Sequence, residues 1–105
     1  MAWTAHEIPL KPFPQSLSVT LAGVVYQLTV RWNSFVGSWV LDIANESNEP
    51  LAQGIPLLTG QDLLAQYAYL QIGGKLIVQT DLEPYSLPTK TNLGINSHLY
   101  FMVSA

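Results

Sequence analysis

Two adjoining segments with alternating apolar and polar residues restrict the fold of this chain more than any other feature of its sequence. In residues 15–21 leucine or valine alternates with serine or threonine, and residues 24–32 place an apolar or aromatic residue at every second position. Alternation with a period of two puts the apolar side chains on one face of a β-strand. Ala22-Gly23 separates the segments, and glycine accepts the positive φ of a two-residue hairpin turn. The sequence therefore predicts a β-hairpin with one buried face.

Further β-strands are predicted along the chain. A third strand is expected at about residues 38–43, where apolar residues alternate again. Residues 51–58 predict only an irregular strand, because a glycine and a proline interrupt them. The Gly73-Gly74 pair predicts a second hairpin, between residues 69–72 and 75–80.

One short helix is predicted between these strands. Thr59 and Asp62 have the spacing of a capping box, in which side-chain oxygens accept hydrogen bonds from first-turn amides, and this places a helix at about residues 60–67. The predicted fold class is all-β and mainly antiparallel, a small barrel or sandwich of about six or seven strands with one short helix, since a single flat sheet would leave open edges.

The 105 residues form one predicted β domain, residues 1–105, because no repeat or change of composition marks a boundary. Residues 1–14 are predicted to be an extended arm that contains three prolines, at positions 9, 12 and 14. Proline cannot donate a backbone hydrogen bond, so such an arm is expected to dock on a partner rather than join a sheet.

Charged residues are scarce. Asp, Glu, Lys and Arg make up 10% of the chain, against about 25% in a typical soluble domain. Neighbouring subunits are therefore expected to cover much of the surface; the alternative is an exterior of Ser, Thr, Gln and Asn, polar without charge. The four cations are spread singly and the net charge is −3. Nucleic-acid binding is not expected, because it depends on clustered cations.

No targeting or membrane-spanning segment is predicted. The longest strongly apolar run is Leu99 to Val103, far shorter than the roughly 20 residues of a membrane-spanning helix. The N-terminal residues lack the pattern of a signal peptide, so export by that route is not expected. Cysteine is absent, which excludes disulfides and thiolate metal sites.

Catalytic and metal-binding patterns are not found in the sequence. His6 and His98 stand alone, without the short ligand spacing of a metal site. The acidic residues near positions 42–49 and 81–83 are interpreted as solvated loop charges. No nucleophile-elbow pattern is present, although a Ser-His-Asp triad converges in space rather than along the chain and stays open as an alternative. We predict no enzyme activity, no catalytic or metal residues and no cofactor.

Aromatic residues offer a second interpretation, because exposed rings on a β scaffold can stack on sugars. Core packing is the simpler interpretation for Trp32, Trp39 and Tyr100, because these three lie in segments of the apolar alternation that is typical of strands. The candidates are Trp3, Trp32, Trp39, Tyr67, Tyr69, Tyr85 and Tyr100.

The last predicted strand, residues 98–104, has no proline or glycine, and from Leu99 onward no charge. At the edge of a sheet such a strand lacks the devices that prevent pairing with another subunit. The alternative is that it lies centrally or beneath a loop.

A set of segments occurs in a fixed order along most of the chain: Val30–Asn33, Gly37–Ile43, Gly54–Leu64, Leu70–Val78, Pro88-Thr89, Asn92–Gly94 and Leu99-Tyr100. This ordered combination resembles the plug proteins of contractile-tailed (myovirus) phage baseplates, which also occur in bacterial prophages. The resemblance implies a β-rich structural subunit near the central hub and tube, which closes or stabilises the end of the tail tube and has no catalytic residues.

The combined prediction is a non-enzymatic structural component of a phage tail baseplate, assembled in the host cytoplasm and located in the virion. Its expected partners are other tail and baseplate proteins, with a homo-oligomer in the assembled tail as a further option, and neither nucleic acid nor membrane. The alternative is a carbohydrate- or receptor-binding module of the tail. The candidate protein-interface residues are Trp3, Ile8, Pro9, Leu10, Tyr85, Leu99 and Phe101.

Overall fold

Seven β-strands and one 3₁₀-helix form the described part of the computed structural model, residues 3–81 and 87–104, with side chains described for 4–81 and 87–103. The 3₁₀-helix spans Ala65–Leu70. The strands are β1 (Trp3–Ile8), β2 (Gln15–Leu21), β3 (Val24–Asn33), β4 (Ser38–Asn45), β5 (Pro50–Pro56), β6 (Lys75–Thr80) and β7 (Ser97–Ser104).

The strands form two antiparallel sheets that face each other as a sandwich. The four-stranded sheet has the order β2-β3-β4-β5, a simple meander, and the three-stranded sheet has the order β1-β7-β6. The sandwich is not a closed barrel. This confirms the predicted all-β, mainly antiparallel fold with a small helix.

One hydrophobic core joins the two sheets, because alternate residues of each strand point between them. Burial of one such side chain contributes about 1.5–3 kcal/mol. The side chains with almost no exposure include Leu28, Val30, Leu41 and Ile43 from the four-stranded sheet and Leu76, Val78 and Leu99 from the three-stranded sheet.

The first predicted hairpin is confirmed. β2 pairs with β3 in a register that sets Leu17 opposite Leu28, both on the core face. The turn residues Ala22 and Gly23 both have positive φ, 51° and 84°, as a two-residue turn with the right twist requires. β5 is interrupted by register shifts against β4, in agreement with the irregular strand predicted there.

The second predicted hairpin is wrong, since residues 69–72 form no strand. The edge of β6 that such a strand would need is occupied by residues 59–63: the amide of Gly60 donates to Val78 and that of Leu63 donates to Leu76. The helix accordingly starts later than predicted, as a 3₁₀ turn at 65–70.

Residues 3–8 of the predicted arm form a strand instead. Trp3–Ile8 is strand β1 and pairs with β7 along its whole length, because its six residues contain no proline and keep every backbone donor. The prolines all follow this strand. Residues 1–2, 82–86 and 105 lie outside the described part.

The last strand lies in the middle of its sheet. β7 pairs with β1 on one side and with β6 on the other, so it has no open edge, and the alternative of a central position is confirmed. From Leu99 onward this strand has no charge, proline or glycine, which suits a strand that is paired on both sides. No helix among the described residues is long and apolar enough to cross a membrane.

Candidate functional site

The structure places most of the predicted interface residues inside the molecule. Ile8, Leu10, Leu99 and Phe101 are at most 6% exposed, so their side chains pack in the core and offer little surface to a partner. Pro9 is exposed. The side chain of Trp3 and the whole of Tyr85 lie outside the described residues. Sequence could not separate these cases, because an apolar strand residue looks the same whether it faces a core or a partner.

A cluster of three titratable side chains joins both flanks of the three-stranded sheet. His98 on β7 contacts the Glu7 carboxylate of β1 through Nδ1 at 2.7 Å and the Asp81 carboxylate after β6 through Nε2 at 3.1 Å. Tyr100 packs beside the imidazole, with ring centroids 6.1 Å apart. No sequence pattern indicates this cluster, since Glu7 and His98 are 91 residues apart.

Electrostatics favour the charged form of His98. Partial burial acts to lower the pKa of His98, but the hydrogen bonds and charges of Glu7 and Asp81 outweigh it, so the pKa is raised above 6.5. Burial, together with the same two carboxylates, raises the pKa of Tyr100 above 10.0. The imidazolium therefore links β1 to the end of β6 across β7.

The contacts of His98 differ from those of the histidine in a Ser-His-Asp triad. A general base in a Ser-His-Asp arrangement needs one ring nitrogen facing the nucleophile, whereas both nitrogens of His98 contact carboxylates. Within residues 3–81 and 87–104, no group of three or more His, Cys, Asp and Glu side chains is arranged to hold a metal ion.

A groove of about 460 Å³ opens between the sheets where β1 and β2 face each other. Each of these strands is the outermost of its sheet. Apolar side chains dominate the walls, and His6 and Glu7 are the titratable residues in its lining. The groove therefore fits apolar contact better than the binding of a charged ligand. Its lining also includes Ile8, Val19, Leu21, Phe101 and Val103.

The aromatic residues proposed for sugar stacking form no flat platform among those described. Trp39 is 1% exposed and meets Trp32 edge to face, with centroids 5.3 Å apart. Tyr69 is exposed, but its ring is tilted by 48° from that of Tyr67. The glycan-binding alternative gains no support from these positions.

The outer face of the four-stranded sheet is polar with little charge. Ser16 bonds to Thr29 and Ser18 to Gln27, each at 3.0 Å, and Arg31 is neutralised by Asp42 at 2.9 Å. This face matches the alternative expectation of a surface that is polar without being charged. The exposed large apolar side chains lie elsewhere: Phe13, Val24, Phe35, Val36, Tyr69, Leu87 and Ile95.

Comparison with known proteins agrees with the resemblance found in the sequence. The sequence model of one family, described as cyanophage baseplate Pam3 plug gp18, matches residues 5–104. No curated protein matches the chain. The match runs through all seven strands of both sheets, so it covers the whole sandwich and not one motif. The chain therefore belongs to the cyanophage baseplate Pam3 plug gp18 family.

Proposed function

We propose that this protein is a non-enzymatic structural subunit of a phage tail baseplate, a plug-like protein that packs against hub or tube proteins. The single observation that carries the proposal is the family match over residues 5–104. In this role the chain is assembled into the tail in the host cytoplasm and remains in the virion, or in the equivalent particle of a prophage.

The surface chemistry supports a role in protein contacts. Charged residues make up 10% of the chain, and seven large apolar side chains of the described part are exposed. Exposed apolar side chains that group together mark sites of association in soluble proteins. Subunits of a tail meet such surfaces when they assemble.

The side-chain geometry supports the absence of catalysis. The one described histidine with close polar partners, His98, has both ring nitrogens engaged by carboxylates. Protein-to-protein packing needs no reactive group, so the His98 cluster is assigned to holding the sheet together.

The test is the composition and structure of tails purified from a phage or prophage that encodes this chain. Mass spectrometry of purified tails is expected to detect the chain at a fixed ratio to other baseplate proteins, and electron cryo-microscopy is expected to show its sandwich within the baseplate. Tails from a strain with the gene deleted should lack that density. Absence of the chain from purified wild-type tails would refute the proposal.

The non-enzymatic part has its own test. A tail that carries His98→Gln in this subunit is expected to assemble and infect as the wild type does at a temperature where the variant is folded. Loss of infection with normal assembly and normal folding would indicate that the cluster has a chemical role.

A further inference from the structure

Strand β2 is an open and unprotected edge of the described sandwich. It is the outermost strand of its sheet, and no described residue outside β3 forms a backbone hydrogen bond with residues 15–21. Its residues include no charge and no proline, and it pairs with β3 without a bulge. Proteins usually protect an exposed edge with such features or cover it. β2 therefore offers unpaired backbone groups to another strand.

The other three outer strands of the described part have such protection. The outer edge of β6 is covered by residues 59–63. β5 begins and ends with proline, and its pairing with β4 is irregular. β1 contains His6 and the acidic residue Glu7. The lack of any such feature is therefore specific to β2.

The hairpin turn determines which backbone groups of β2 are free. Ala22 and Gly23 both have positive φ, 51° and 84°, as in a type I′ turn, and the two residues that flank such a turn bond to each other. Because hydrogen-bonded pairs alternate along an antiparallel ladder, every second residue counted back from the turn bonds to β3. The residues between them, Ser16, Ser18 and Thr20, direct their amides and carbonyls toward the open edge.

Side-chain contacts agree with this assignment. Ser16 lies opposite Thr29 and Ser18 opposite Gln27, and a side-chain hydrogen bond of 3.0 Å joins each pair. Side chains come closest at those positions of an antiparallel pair that share no backbone bond. The backbone groups of Ser16 and Ser18 are therefore available to a partner strand.

The two faces of β2 determine what kind of strand fits beside it. Leu17 and Val19 pack against the core but remain partly exposed, since no described strand lies beyond them. Val19 also lines the groove between β1 and β2. Ser16, Ser18 and Thr20 are exposed on the other face. An added strand therefore needs apolar side chains toward the groove and uncharged polar side chains on the outer face.

β2 itself has this pattern, so a second copy of β2 fits. When two copies pair antiparallel with Ser18 opposite its counterpart, Ser16 lies opposite Thr20, and all three residues with free backbone groups form pairs that exchange two hydrogen bonds. The neighbouring registers put Thr20 opposite Pro14, which has no amide hydrogen, or Ser16 opposite Ala22 in the turn. The register about Ser18 therefore uses the free groups most fully.

The same register brings exposed apolar side chains together at both ends of β2. Phe13 is 50% exposed just before the strand, and Val24 is 52% exposed just after the turn. Pairing about Ser18 sets residue 13 of one copy level with residue 23 of the other, next to Val24. A second copy thus covers two of the large apolar side chains that are exposed in one copy alone.

Charge does not oppose this pairing. Residues 15–21 contain no charged side chain, so no like charges face each other along the paired strands. The acidic residue in the lining of the neighbouring groove is Glu7, whose carboxylate contacts Nδ1 of His98 at 2.7 Å. That carboxylate is therefore partnered within its own copy.

We propose that two copies of this chain associate through β2, which pairs antiparallel with β2 of the second copy about a two-fold axis at Ser18. The two four-stranded sheets then form one continuous sheet. A strand that pairs antiparallel with its own copy makes the same contacts in both directions, as a two-fold dimer requires. The inference goes beyond the proposed function, because it needs no other tail protein.

The test is sedimentation velocity of the purified chain at concentrations up to the millimolar range. The wild type is expected to form a dimer as its concentration rises. Ser18→Lys and Ser18→Glu each place two like charges opposite one another at the axis and are expected to weaken the dimer about tenfold. The matched control is Gln53→Lys, at an exposed position of the outer strand β5 of the same sheet, and it should dimerise as the wild type does. Thermal unfolding should confirm that all three variants are folded.

An equimolar mixture of Ser18→Lys and Ser18→Glu tests the position of the axis. The mixed pair places opposite charges across it, so the mixture is expected to associate more tightly than either variant alone, and more so at low salt. A mixture that associates no better than its components would refute pairing about Ser18.

The remaining outcomes separate this inference from the proposed function and from other occupants of the edge. A wild type that stays monomeric at every concentration overturns the inference, while the composition of purified tails tests the function independently. A dimer that Ser18→Lys does not weaken has its contact elsewhere and also overturns it. If the wild type is monomeric and Ser18→Lys, unlike Gln53→Lys, is missing from assembled tails, the edge receives a strand of another tail protein and the inference is wrong.

Discussion

Gly94 has a backbone conformation and a close contact that together admit no side chain. Its φ is +80°, and a Cβ would meet the carbonyl oxygen of Leu10 at 1.8 Å. The loop that carries Ile95 is therefore pressed against the end of β1 in a way that only glycine permits.

Replacing Gly94 with alanine is expected to destabilise the protein by about 2–5 kcal/mol, since about 1–2 kcal/mol of left-handed strain adds to about 1–3 kcal/mol of steric overlap. Denaturant unfolding measures the change. Gly60→Ala is the matched control, because Gly60 has the same φ of +80° with nothing within 4 Å of the added methyl. The free energy of unfolding of Gly60→Ala should fall only by the cost of the left-handed strain. An equal fall in both variants would show that the contact with Leu10 does not matter.

His98 makes stability depend on pH. Because the pKa of His98 is raised in the folded protein, its charged form is stabilised there relative to the unfolded chain. This contribution is complete below about pH 6.5 and is lost as the pH rises through the raised pKa.

Between about pH 6 and pH 9 the free energy of unfolding of the wild type is expected to fall by roughly 0.5–1 kcal/mol more than that of His98→Gln, an amount typical of partly exposed ion pairs. Thermal unfolding across this range measures the difference. His6→Gln removes the other histidine and should leave the dependence intact. A wild type whose stability changes with pH no more than that of His98→Gln would contradict the role of the cluster.

Asp62 determines how the segment before the 3₁₀-helix joins the three-stranded sheet. Its carboxylate accepts from the amide of Leu64 at 3.0 Å and, across the sheet edge, from that of Leu76 at 3.3 Å. One carboxylate thus accepts hydrogen bonds from an amide of the turn and from an amide in the first part of β6.

Asp62→Ala is expected to cost about 1–3 kcal/mol, because two backbone donors lose their partner. Amide hydrogen exchange should show faster exchange at Leu64 and Leu76. Asp62→Asn keeps a side-chain carbonyl oxygen in place and should lose less. Unchanged exchange at Leu76 in Asp62→Ala would show that this amide does not depend on the carboxylate.

Elements that depend on neighbours in sequence were predicted well, and elements that depend on distant partners were not. The β2–β3 hairpin follows from alternation and from Ala22-Gly23, all within one short stretch. Residues 69–72 have a strand-like composition, but residues 59–63 already occupy the edge of β6. The pairing of β1 with β7 joins opposite ends of the sequence, so no local pattern predicts it.

The candidate site shows the same division. The proposal that the chain acts through protein contacts follows from low charge and family resemblance, whereas the contact residues do not. Ile8 and Phe101 are apolar, as interface residues often are, yet both fill the core. Phe35 is fully exposed in a turn, and no local pattern of the sequence indicates that exposure.

The two sheets share one core, so they are expected to unfold together as a single domain, residues 1–105. Leu76→Ala in β6 should cost about 2–5 kcal/mol. In a Trp3→Phe background, where Trp32 and Trp39 of the four-stranded sheet provide the fluorescence, this change should lower the fluorescence and circular-dichroism midpoints equally. A fluorescence midpoint that stays unchanged while circular dichroism shifts would indicate two separate units.

The order β1-β7-β6 also has a consequence for synthesis on the ribosome. The four-stranded meander is complete by residue 56, whereas β1, made first, has no partner until β7, made last, has emerged. Throughout that interval the inner face of the meander stays open to water and to other nascent chains. Pairing of β1 with β7 then completes the second sheet over this face, and the finished subunit no longer exposes it.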